Sequence, residues 1–154
     1  MIDDEVQRAT AILKTGGVVA HACEGVWGLA CDAYSFASVK RILELKRRPI
    51  RNGLILVGGQ ATEFSAELAG LSEEQREKVV NSWPGPETWI METHRFPAWI
   101  TGGRGTVAVR VPGHEQAREM ACRFGGPLVS TSANRSGEEP KTRQDEVGKG
   151  FGNL

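Results

Sequence analysis

"GLILVGG", residues 53–59, is an uninterrupted apolar run bracketed by glycines. That is the pattern of a strand buried on both faces, not of a strand with one wet side. A strand of this kind needs cover above and below, so the flanking segments have to supply helices. "SFASVKRILELKRR" (35–48) reads as one, with Val39, Ile42, Leu43 and Leu45 on one side and Pro49 as its stop. Further upstream, Val6, Ala9, Ile12 and Leu13 recur at helical spacing over residues 3–14. Asp3, Asp4 and Glu5 complement that helix's positive end. "TGG" ends it, and "VVAHA" (18–22) reads as a short strand.

Downstream the alternation continues. "LSEEQREKVVNSW" (71–83) opens on Ser72 with Gln75 three positions on, the spacing of a capping box. "PGP" (84–86) forces a turn before a strand in "ETWIME" (87–92). "TGGRG" (101–105) is a flexible connection into a strand, "TVAVRVP" (106–112). "HEQAREMACRFGG" (114–126) reads as a helix and "PLVSTSAN" (127–134) as a strand running into a polar turn. The tail "TRQDEVGKGFGNL" (142–154) suggests one short helix. Helices and strands alternate throughout, so the expected fold class is α/β, a single domain over residues 1–154 with one twisted sheet.

Composition narrows the function classes. The 154 residues are 40% hydrophobic and 25% charged, with 19 basic and 19 acidic side chains, so no global field draws the chain onto nucleic acid or an anionic surface. Any basic surface has to be local. Three cysteines, Cys23, Cys31 and Cys122, follow no disulfide spacing and fit a reducing compartment. No apolar run approaches the ~20 residues of a membrane span. The start, "MIDDEVQRAT", is acidic where a signal peptide is basic. A cytoplasmic location is expected, with no membrane partner.

Four stretches could carry chemistry. Lys46, Arg47, Arg48 and Arg51 cluster at a helix C-terminus. They read either as a solvated end compensating the helix dipole or as an anion site, with Lys as point charge and Arg as fork for a polyphosphate. "STSANRSG" (130–137) reads either as a plain turn or as a ligand-binding strand end. Its hydroxyls and amide suit phosphate, sugar or base edges. Neither a Walker loop nor a dinucleotide fingerprint is present. Arg110, set among β-branched residues, wants a carboxylate inside the protein or an anionic group on a substrate.

The fourth stretch is "AHACEGVWGLACD" (20–32). His21 and Cys23 share one side of a strand, but the spacing supplies neither a zinc set nor a supported nucleophile pair, so no metal site is expected. Cys31 reads as a small buried hydrophobe, and "GVWGLACD" as a glycine-punctuated turn packing Trp27. Trp83, Trp89 and Trp99 read as core.

Taken in order, these motifs resemble the YrdC/TsaC family of threonylcarbamoyl-AMP synthases. "EGVWGLACDA" is similar to the family's "PTETVYGLGCDA" from its glutamate onward, and "ILELKRRPIRNGLILV" to its Lys-x-Arg loop and following strand. "SWPGPETWI" is similar to its "WPGPxT" turn, "VAVRVPGHE" to its arginine-bearing strand, and "GGPLVSTSANRSGEEP" to its Ser-x-Asn segment. The resemblance implies a YrdC-like open mixed sheet flanked by helices around a deep cavity. It implies synthesis of threonylcarbamoyl-AMP and pyrophosphate from L-threonine, bicarbonate and ATP with Mg²⁺. A separate threonylcarbamoyl transferase machinery then modifies adenosine 37 of tRNAs.

The same resemblance implies site roles. Lys46 and Arg48 would meet the ATP phosphates and carry the catalysis. Ser130, Thr131, Ser132 and Asn134 would bind the nucleotide, and Cys23 and Arg110 the threonine. Ala22-Cys23 replaces the family's Pro-Thr, so a thiol stands where a hydroxyl is expected, and altered threonine binding follows. The chain also stops before the family's "PST"-like segment, which leads to an expectation of low synthase activity. The alternative function is an impaired member that binds double-stranded RNA, tRNA or the ribosome.

Overall fold

The computed structural model describes residues 2–22 and 27–132. Helix α1 (Ile2–Lys14) leads into strands β1 (Val19–Ala22) and β2 (Trp27–Asp32), then helix α2 (Phe36–Lys46). Strand β3 (Ile55–Val57), the short helix α3 (Ser65–Leu68) and α4 (Glu73–Asn81) follow, then β4 (Trp89–Glu92) and the short α5 (Ala98–Thr101). The described chain closes with β5 (Thr106–Arg110), α6 (Glu115–Phe124) and β6 (Leu128–Ser132). The expected tail helix lies outside the described residues.

Among the described residues, one mixed sheet holds six strands in the order β1-β2-β6-β3-β5-β4. Only β3 and β5 run parallel; the other neighbours are antiparallel. The α/β reading with one open sheet flanked by helices therefore holds. Register places Gly28 against both His21 and Ser132, Leu56 against Val129, and Ile55 against Ala108.

Each face of the sheet has its own core. Leu29, Cys31, Leu56, Val107, Val109 and Val129 form one layer with Val39 and Ile42 of α2. Val19, Ala30, Val57 and Leu128 form the other with Val6 and Leu13 of α1 and Met120 and Ala121 of α6. Arg123 reaches Asp3, and Gln116 donates to Glu5 at 3.0 Å, joining α6 to α1.

Three readings are corrected here. "GVWGLACD" is not a turn: Trp27–Asp32 is a strand hydrogen-bonded on both sides, to β1 and β6. Its middle is buried on both faces, which erases the alternation that marks a half-wet strand. The "GLILVGG" strand is shorter than the apolar run, and Ile55 is 40% exposed because the second face is only partly covered. On α1, Ile12 turns outward at 47% exposure, while Thr10 is buried with its hydroxyl donating to the Val6 carbonyl at 2.7 Å.

Other local rules hold. Ser72 and Gln75 form the full capping box, and Cys31 is completely buried. Trp83, Trp89 and Trp99 join the core, with indole N–H groups donating to Glu87, Ser82 and Ala33. Among the described residues, no helix is long and apolar enough to cross a membrane.

Candidate functional site

Helix α2 ends at Lys46, and the next residue, Arg47, turns the chain out in the left-handed conformation (φ 53°). Its N–H is returned to the Glu44 and Leu43 carbonyls, closing the helix. The turn separates the cationic cluster. Lys46 keeps the inner phase of Val39 and Ile42, while Arg47 and Arg51 are exposed. Lys46 is only 2% exposed, and its Nζ donates to the Ser132 carbonyl at 2.5 Å. Burial, with the nearby Arg48 guanidinium adding to it, pushes the Lys46 ammonium down to about 8.

Arg48 is half-buried and donates from Nε to the Gly53 carbonyl at 3.1 Å. Gly53 sits at φ 70°, where a side chain is strained. A β-carbon there would lie 3.2 Å from Nη1 of Arg104 and 3.3 Å from the Ile100 carbonyl. Lys46, Arg48 and Arg104 thus converge on the end of the sheet where β6 finishes. Sequence reading passed over Arg104 as part of a flexible connection. The available signal was a lone cation among three glycines.

Strand alternation sorts the remaining candidates. Ser130 and Ser132 pair with Ala30 and Gly28, so they share a face with His21, Ile55, Ala108 and Arg110. Among the described residues, α1 and α6 cover the part of this face around Val19, Ala30, Val57 and Leu128. Beyond it Ile55 and Ile90 are 40% and 73% exposed, and Arg110 is half-buried. Thr131 pairs with Leu29 and projects from the opposite face, the side from which Lys46 arrives. Arg110 sits on the Val57–Leu128 row, four residues back along β6 from Ser132 and two strands across. Strand geometry sets them on the order of 16 Å apart, far enough to touch different parts of the ligands.

Cys23 and Asn134 lie outside the described residues. The residues flanking those segments stand together: Ala22 pairs with Trp27, and the adjacent row pairs Gly28 with Ser132. His21 completes the row. It is buried, and its Nε2 lies 3.2 Å from Ser130 Oγ. The sequence offered His21 only as a partner for Cys23. Its cross-strand partner, 109 positions away, has no local signature.

A separate open groove of about 440 Å³ runs along the outer flank of α2 between Phe36, Leu43 and Ile50, sharing Arg47 and Arg48 with the cationic cluster. Among the described residues, no group of three or more His, Cys, Asp and Glu could hold a metal. The sheet end offers fixed cations and hydroxyls, a set chemically suited to anionic, oxygen-rich ligands.

Comparison with known proteins gives this arrangement relatives. A Sua5/YciO/YrdC family model, described as "Telomere recombination", matches residues 11–154. A protein of Halorhodospira halophila named threonylcarbamoyl-AMP synthase is 47% identical over 148 residues, 96% of this chain and 78% of that protein. One of the same name from Hahella chejuensis is 44% identical over 136 residues, 88% of this chain and 74% of its own length. Among solved structures, P. abyssi Sua5 complexed with L-threonine superposes with a TM-score of 0.88 at 33% identity. That match covers 96% of this chain, which spans 44% of the Sua5 chain.

Proposed function

This chain belongs to the Sua5/YciO/YrdC family, and from that premise we propose that it is a threonylcarbamoyl-AMP synthase serving tRNA modification. The threonine amine and bicarbonate condense to a carbamate with loss of water. A carbamate oxygen then attacks the α-phosphorus of ATP, the bond to the β-phosphate bridging oxygen breaks, and pyrophosphate leaves. Negative charge builds on the phosphate oxygens as this happens. Fixed cations lower that barrier, and the protein's other task is to hold the reactants in line.

The observation that carries this reading is the buried Lys46 ammonium pinned on the Ser132 carbonyl, beside Arg48 and the Ser130–Ser132 strand end. Most of its desolvation cost is met on folding, so a triphosphate gains a preorganised counter-charge. Lys46 and Arg48 take the phosphates; Ser130, Thr131, Ser132 and Asn134 hold the nucleotide. Arg110, further along the same face, takes the threonine carboxylate, and Cys23 its hydroxyl or amine. Mg²⁺ enters with the triphosphate as part of the substrate. The product passes to a transferase machinery acting on tRNA.

The test is pyrophosphate release from ATP by the purified protein, with threonine and bicarbonate each omitted in turn. Release should need both, and Lys46→Ala and Asn134→Ala should each lower it about 100-fold or more. Release indifferent to threonine, or unchanged in Lys46→Ala, overturns the assignment. Binding of RNA that collapses between 50 and 200 mM salt, without threonine-dependent turnover, would favour a nucleic-acid role instead.

A further inference from the structure

His21 reaches across a strand. It stands on β1, Ser130 on β6, and β2 lies between them. The reach is possible because the β2 residue beneath the imidazole is Gly28. A β-carbon there would come within 3.0 Å of His21 Nε2 and 3.2 Å of the Thr131 carbonyl. The ring is buried at 6% exposure, so its position is fixed by packing, and Ser130 Oγ is at hydrogen-bonding distance, 3.2 Å.

A serine hydroxyl has one hydrogen and a free rotor, so its direction is set by whatever partner is already fixed. We propose that His21 is a positioning residue for the nucleotide: it holds Ser130 Oγ in one rotamer on the open face, and Gly28 is the gap that lets it do so. With the ring hydrogen on Nε2, His21 donates to the Ser130 oxygen. The Ser130 O–H is then left to donate to an acceptor oxygen of the nucleotide. The proposal rests on the nucleotide-site reading above and adds to it a residue that touches the ligand only through Ser130.

The experiment is a binding cycle with MgATP as the probe, read by titration calorimetry on the full chain, with thermal melts to confirm folding. Ser130→Ala and His21→Phe, which keeps the ring but loses its nitrogens, should each weaken ATP binding about 5–10-fold. The double variant should be no weaker than Ser130→Ala alone, because His21 acts only through the Ser130 hydroxyl. His21→Gln, with an amide near the Nε2 position, should regain most of the loss. Threonine affinity should stay within twofold throughout, a split that general loosening of the sheet would not give. Gly28→Ala, which keeps both partners but wedges them apart, supplies a second route to the same ATP-specific loss should His21→Phe fail to fold. Losses that multiply in the double variant, or equal losses for threonine, overturn the positioning role alone. A wild-type chain that does not bind ATP overturns the nucleotide reading as well.

Discussion

Lys46 Nζ and the Ser132 carbonyl, 86 residues apart in sequence, are joined at 2.5 Å, tying the last turn of α2 to the end of β6. Because the ammonium is buried, its folded-state pKa lies near 8 against an ordinary 10.5. Between those values the unfolded chain binds the extra proton, so stability rises with pH across that window. Below pH 8 the full penalty persists; above 10.5 it is gone. Cys31, raised from 9.0 to about 12 by burial and then by Asp32, pulls the other way above pH 9. Urea unfolding of wild type and Lys46→Met side by side cancels that opposing effect. The wild-type advantage should grow between pH 8 and 10.5, by at most about 1.4 kcal/mol per pH unit. A constant difference contradicts the buried-cation picture.

Gly53 holds φ 70°, with the Ile100 and Thr101 carbonyls 3.3 and 3.4 Å from a β-carbon position. Gly53→Ala should destabilise by about 2 kcal/mol through backbone strain and crowding. It should also weaken ATP binding, because the Gly53 carbonyl is the acceptor that holds Arg48. Gly126→Ala, whose nearest non-neighbouring atom is 3.8 Å away, is the control and should shift stability by under ~0.5 kcal/mol.

The Glu67 carboxylate is 1% exposed and accepts from Arg95 at 2.7 and 2.9 Å and from Thr93 at 3.0 Å. Arg95→Ala leaves that charge buried with the Thr93 hydroxyl as its remaining side-chain donor among the described residues, at a cost of about 3 kcal/mol. Glu67→Gln should cost less, because the neutral amide keeps hydrogen-bonding capacity and Arg95 is 36% exposed and can rehydrate. Chemical denaturation that ranks the two the other way round refutes this account.

Of Cys31 and Cys122, only the second is exposed, and the first is held as a thiol by burial. Iodoacetamide at pH 8, followed by peptide mapping, should alkylate Cys122 in the native protein and Cys31 only after denaturation. Native-state labelling of Cys31 at a comparable rate would place it outside the core.

The helices that announced themselves are those with long periodic faces and explicit caps. α4 shows its Ser72–Gln75 box in four letters, and α2 its inner stripe in Val39 and Ile42. β2 was hidden because burial on both faces left no alternation to read, and α3 and α5, four residues each, are too short to show a period. On the α2 stripe, Leu45 gave way to Lys46 as the buried residue at the helix end. A lysine earns no place on a hydrophobic face by pattern; it is buried there because β6 presents the Ser132 carbonyl to its Nζ.

By itself the sequence determined that helices and strands alternate, and it determined the ordered set of motifs by which the family is recognised. Both are local properties, written in periodicity, caps and short strings. Only the tertiary structure decided which residues meet. It placed β6 between β2 and β3, and so carried Ser130 within 3.2 Å of His21 and Ser132 within 2.5 Å of Lys46. It also sent Ser130 and Thr131, adjacent in the chain, to opposite faces of the sheet. Strand order and register are settled by packing between distant segments, which no stretch of sequence read alone contains.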